Sequence, residues 1–236
     1  LLPGSKPAKL SVGMPFLLET ADRLARLRPN SRFLLPIAPT TSEEELIRFA
    51  SESNPIARSY GAAVGQCRDG LLVTQAGTTI RLLKEHPAHG PLSQCALALT
   101  TVGANTAELG ALGVPMIVIV PTQHLAVMQA WDGAIGLLAR LPLLRRLVGG
   151  LLSLWRLRNN GLMAWPNISA GRVVVPERVG EITPQQIAEE AADWLAAPER
   201  LQGQRDDLQA LRGQPGAVAA LAEEVRQLLP RQLESA

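Results

Sequence analysis

The chain has 236 residues, with 23 Lys and Arg against 21 Asp and Glu and a net charge of +2. That length allows one large domain or two small ones, and a hydrophobic content of 47% supports a packed core. Near-neutral charge, with three Phe and one Tyr, excludes a bulk nucleic-acid binder that stacks bases. Cys67 and Cys95, with no CxxC pair and no His cluster, predict reduced thiols on the cytoplasmic side and no metal site.

In chain order, Leu1-Leu2 reads as a buried strand entering the turn Pro3-Gly4-Ser5-Lys6. A chain that starts without Met and inside a strand suggests that a preceding part of a longer protein is missing. Phe16, Leu17, Ala21, Leu24 and Leu27 form a helical stripe over 13–27, and Pro29-Asn30 stops it. Residues 32–37 are an apolar strand. Ser42 followed by Glu43, Glu44 and Glu45 is a helix start, with the acids complementing the helix N-terminus. Residues 71–74 predict a third strand, pairing with 79–83; 96–100 and 116–120 are a fourth and fifth. These runs are apolar throughout and alternate with helices, which predicts a parallel sheet covered on both faces, with loops at the strands' carboxyl ends forming the ligand site.

Beyond residue 122 the pattern turns helical. Residues 123–139 and 143–158 read as helices split by Pro142, and Trp165–Arg172 as a loop. Thr183, Pro184 and Gln186 have the spacing of a capping box. A pair of charged amphipathic helices over 200–230, broken near 213–216, completes the chain. The fold class is α/β, a Rossmann-like parallel sheet with helices on both faces plus C-terminal helices. The expected division is a domain over 1–200 and a helical tail over 201–236.

Two turns carry chemistry. Gly4, after a strand, lets the backbone approach an anion; the turn's amides, the Ser5 hydroxyl and the Lys6 charge suit a phosphate. The same residues also make an ordinary strand-to-helix turn with an exposed lysine. The second turn is Gly103-Ala104-Asn105-Thr106-Ala107-Glu108. Asn105 or Thr106 is expected to cap the next helix, leaving amides for an anion. Glu108, expected in that helix's first turn, would repel phosphate, so its partner is a pair of ribose hydroxyls; the plain alternative is a dipole-stabilising acid. Gln123 and His124 follow a strand's carboxyl end and reach either a ligand or solvent. His86 and His89 flank Pro87 as loop residues.

These motifs, in order with Pro166-Asn167-Ile168-Ser169-Ala170-Gly171-Arg172, resemble the C-terminal half of the lipid-A-disaccharide synthase family, GT-B glycosyltransferases, over roughly residues 1–200. The family patterns are Leu-Pro-Gly-Ser-Arg, Ser-Gly-Thr-Ala-Thr-Leu-Glu and Pro-Asn-Leu-Leu-Ala-Gly-Arg. Lys6 stands for arginine, which keeps charge but loses bidentate geometry. Val102 stands for serine and Ala104 for threonine. After Glu177, Arg178-Val179-Gly180 replaces the leucines and glutamine frequent in the family. The resemblance implies metal-independent, inverting transfer of an acylated glucosamine from a UDP-sugar to a lipid-linked sugar phosphate in lipid A biosynthesis. It puts Gly4, Ser5, Lys6, Gly103, Asn105, Thr106, Glu108, Gln123 and His124 at the donor, and Asn167, Gly171 and Arg172 at the acceptor or diphosphate. As a bare turn, Asn167 needs no ligand. The general base belongs to an N-terminal domain outside this sequence, so the half alone should catalyse little.

From Gly133 to Pro176 there is no acid. Arg140, Arg145, Arg146, Arg156 and Arg172 lie among leucines and Trp155, and no apolar run approaches the ~20 residues of a spanning helix. This segment reads as a helix on an anionic membrane, peripheral on the inner face of the cell membrane, or as a core helix with its arginines in water or paired to the acidic tail helices. Two other functions remain open: another UDP-sugar enzyme, such as a glycolipid transferase or an epimerase, and an inactive GT-B-like scaffold. The epimerase lacks a visible set of cleft acids.

Overall fold

A computed structural model of the chain describes residues 1–60, 64–124, 161–213 and 216–228. Its central helix, α1 (Pro7–Leu27), starts six residues earlier than the apolar stripe suggests, with Pro7 in the first turn and Lys6 as an extended N-cap. Gly13 and Pro15 hide that start. Pro15 removes the amide that would bond the Ser11 carbonyl one turn back. Asn54 restores the balance: its Nδ2 donates to the Ser11 oxygen at 2.7 Å and to the Phe49 oxygen at 2.7 Å.

β1 (Phe33–Pro36) is followed by α2 (Glu43–Ala50), whose N-cap Ser42 accepts from the Glu45 amide, and by α3 (Pro55–Tyr60). β2 (Val64–Arg68), β3 (Leu71–Thr74) and β4 (Thr79–Leu83) come next, then the short α4 (His89–Ser93). β5 (Ala98–Thr101), α5 (Ala104–Leu112) and β6 (Met116–Pro121) lead into a 3-10 turn (Thr122–His124). α6 (Trp165–Ala170), β7 (Glu177–Gly180), α7 (Pro184–Ala196), α8 (Pro198–Ala210) and α9 (Ala217–Leu228) follow.

β1 and β4 pair in parallel, and β3 and β2 extend that edge antiparallel. The expected parallel sheet is present, and the 71–74 and 79–83 strands pair as predicted, antiparallel, which extends the sheet at one edge. β5, β6 and β7 pair in parallel. Leu1 and Leu2 stitch the two groups together. The Leu1 nitrogen donates to the Leu34 oxygen at 2.7 Å, the Leu2 amide to the Leu99 oxygen at 2.9 Å, and the Thr101 amide to the Leu2 oxygen at 3.1 Å. Counting Leu1-Leu2 as the first strand, the parallel core runs β4, β1, Leu1-Leu2, β5, β6, β7. This is the doubly wound Rossmann order 3-2-1-4-5-6, with its switch point between Leu1-Leu2 and β5.

Alternation along β6 divides the core. Ile117 and Ile119 join α1, α2 and α7 in one cluster; Met116 and Val118 join Leu109, Val175 and Leu208 in the other. Helices therefore cover both faces of β5 and β6. Gln204 of α8 accepts from the Met116 amide at 2.7 Å and is buried. α8 runs through the boundary expected at residue 200, and its Leu208 packs in this core. The break before α9 falls where the sequence puts it. Among the described residues, no helix is long and apolar enough to cross a membrane. The predicted helices 123–139 and 143–158 lie outside the described residues, apart from the 3-10 turn.

Candidate functional site

Both glycine turns sit at the switch point. Gly4 takes φ +102° and Gly103 φ +154°, conformations that side chains disfavour. The turns touch: Thr101 Oγ1 donates to the Pro3 oxygen at 3.2 Å. Lys9, a residue the motif reading passed over, joins them from the first turn of α1, its Nζ donating to the Val102 oxygen at 2.5 Å. A Cβ on Gly103 would lie 2.9 Å from that Nζ. The available signal was a second lysine three positions after Lys6, on the same helix face.

Ser5 and Lys6 are exposed beside this junction. Neither α1 nor α5 has a side-chain cap, and neither has an acid in its first turn. Pro7 has no amide hydrogen, and the Lys9 and Thr106 amides bond the Lys6 and Gly103 oxygens, so the Ala8, Ala104 and Asn105 amides are the ones left to other acceptors, and both helix dipoles favour an anion here. This corrects the capping role predicted for Asn105 and Thr106: Gly103 itself is the N-cap of α5. Thr106 is fully buried; its hydroxyl donates to the Gly103 oxygen at 2.8 Å and accepts from the Trp165 amide at 3.1 Å. It clasps α5 to α6 and has no face for a ligand. Asn105 remains half-buried on the loop side.

Glu108 lies in the second turn of α5 rather than the first. Its Oε1 is 3.2 Å from His89 Nε2, at the start of α4. Gln123 is committed to bracing, donating to the Ile182 oxygen at 2.6 Å and to the Tyr60 hydroxyl at 3.3 Å. Burial pushes that phenol up to about 12. His124 ends the 3-10 turn.

The third motif has other duties. Residues 165–170 form α6, not a loop, and Asn167 is fully buried. Its Oδ1 accepts from the Val174 and Val175 amides at 2.7 and 2.8 Å; its Nδ2 donates to the Val175 oxygen at 2.9 Å and to Glu177 Oε1 at 2.6 Å. Glu177 also accepts from the Met163 and Ala164 amides. Every polar atom of the Asn167 amide has a partner within the fold, so the expected contact with acceptor or diphosphate would have to exchange one of these bonds. Gly171 is the left-handed C-cap of α6, and Arg172 pairs with Asp207 of α8 at 2.8 Å. Arg178, where the family pattern breaks, forms a bidentate pair with Glu190, which raises its guanidinium pKa further. The proposed membrane contacts Arg140, Arg145, Arg146, Trp155 and Arg156 lie outside the described residues. Among the described residues, no three His, Cys, Asp or Glu side chains gather as a metal site.

No protein-family model matches the chain. Curated proteins do. A lipid-A-disaccharide synthase of Myxococcus xanthus is 28% identical over 235 residues, covering 98% of this chain and 49% of its own length. One from an Anaeromyxobacter species is 28% identical, covering 95% and 48%. One from Nitrosococcus oceani is 26% identical, covering 93% and 44%. The chain is a diverged relative of the lipid-A-disaccharide synthases. It spans about half the length of the curated relatives it matches. The chain carries Lys9 and the Glu108–His89 pair beside the two glycine turns of its Rossmann-like sheet.

Proposed function

We propose that this chain is the donor-binding half of a glycosyltransferase of lipid A synthesis. It would hold a UDP-sugar carrying an acylated glucosamine for transfer to a lipid-linked sugar phosphate. One observation carries the reading: the Gly4 and Gly103 turns meet at the switch point with Lys9 between them, and Glu108 lies beyond. In open α/β sheets, ligands bind at this crevice. The uncapped amides of α1 and α5, with Lys6 and Lys9, suit the diphosphate. Glu108 suits the ribose diol.

In the proposed transfer, an acceptor hydroxyl attacks the anomeric carbon as its bond to the β-phosphate oxygen breaks. UDP leaves with the electron pair, and the hydroxyl proton passes to a base on a partner domain. Amides and lysines around the leaving phosphate would stabilise its growing charge. The acid-free segment, by its composition, would meet an anionic membrane and bring the crevice to a lipid acceptor.

The test is thermal stability with UDP and with acylated UDP-glucosamine. A ligand that binds the native state raises Tm by mass action, and both are expected to do so. Glu108→Ala should weaken both without unfolding the chain. No response to any uridine nucleotide overturns the reading in favour of a scaffold; turnover of other UDP-sugars alone favours a different transferase.

A further inference from the structure

The His89–Glu108 pair links two elements that sequence reasoning keeps apart. His89 opens α4, just beyond the carboxyl end of β4, and Glu108 belongs to α5. Nε2 and Oε1 are 3.2 Å apart, and the side chains are 53% and 35% exposed. Among the described residues, the imidazole is the polar group in contact with the Glu108 carboxylate. We propose that His89 is a positioning residue that holds the Glu108 carboxylate in place for the ribose diol of a uridine nucleotide; this rests on the reading of the site given above.

A half-exposed glutamate has three side-chain torsions to order before it can bind a diol. An imidazole on the neighbouring helix that engages Oε1 orders them before the ligand arrives, so less is lost on binding. One imidazole bond also leaves Oε2, and the second lone pair of Oε1, to accept from two vicinal hydroxyls. The contact runs through the carboxylate, and His89 touches no phosphate in this arrangement. Its removal should therefore be felt only by ligands that carry the diol.

Calorimetric titration of the whole chain tests this with two probes, UDP and the dideoxy analogue that lacks both ribose hydroxyls. His89→Leu should weaken UDP about three- to five-fold, the range of an exposed pair, and leave the dideoxy analogue unchanged. His89→Gln, which keeps a donor N–H, should restore most of the loss. In a Glu108→Gln background, His89→Leu should have no further effect. Unchanged or tighter UDP binding by His89→Leu, or equal weakening of both probes, overturns the positioning role while leaving the donor site intact. Failure of the unsubstituted chain to bind UDP removes the site and this role together. Unchanged Tm in the variants confirms that folding is not the cause.

Discussion

Lys9 Nζ donates to the Val102 carbonyl, joining the first turn of α1 to the loop before α5 across 93 residues of sequence. The ammonium both fixes the spacing of the two turns and puts a charge between them.

Lys9→Met should therefore weaken UDP about ten-fold and UMP far less, because a point charge counts most against the terminal phosphate. Calorimetry with both nucleotides at low salt checks this. Equal losses would make Lys9 a spacer alone.

Gly13 faces the Pro3 turn from the second turn of α1. A Cβ there would lie 2.6 Å from the Pro3 carbonyl oxygen, a backbone atom that has to move. Gly13→Ala should lower stability by about 1–3 kcal/mol, as overpacking does. It should also weaken UDP by shifting Gly4. Denaturant unfolding together with titration reads both.

Asn167→Ala should destabilise the fold by about 2–4 kcal/mol, because it strands the Val174 and Val175 amides and removes a donor from the Val175 oxygen and from Glu177 Oε1, which keeps the Met163 and Ala164 amides. At temperatures where the variant is folded, its affinity for UDP should match the parent's. A large loss of affinity with unchanged Tm would restore Asn167 to the ligand site.

The chain has a single tyrosine, so an ultraviolet titration reads Tyr60 alone. Burial raises its phenol from an ordinary 10 to about 12, partly offset by the Gln123 donor. The folded state keeps this proton longer than the unfolded chain. Tyr60's contribution to stability is constant below pH 10 and declines from there to about pH 12. A midpoint near 10 would mean that the edge-on packing with Phe16, at 5.5 Å, is looser in solution.

Replacing Arg145 and Arg146 with Glu should reduce binding to vesicles containing phosphatidylglycerol at low salt, since each basic side chain contributes about 1 kcal/mol near an anionic surface. Unchanged partitioning would assign the segment to the protein interior.

Where local chemistry decides structure, residues disclose it. Ser42 caps α2, Thr183 and Gln186 form their reciprocal box, and the buried run 116–121 is a central strand. β7 escapes because Glu-Arg-Val-Gly has no apolar rhythm; only its register against β6 makes it a strand. The start of α1 escapes because its proline is tolerated only through Asn54, 39 positions after it. In the site, the glycine turns are visible from local pattern. Lys9 and His89 are not, because their meaning comes from elements that meet through the crossover. The internal bonds of Asn167 are hidden for the converse reason: an amide able to hold a sugar is equally able to hold four backbone and side-chain partners.

The two-residue stitch formed by Leu1 and Leu2 sets the height of the first turn above the sheet edge. A slip of one position there would carry Gly4 about 3.3 Å along the strand axis. It would also rotate Leu2 out of its cluster. Three main-chain bonds thus act as a gauge block, and whatever disturbs pairing at that seam must also misplace the neighbouring amides.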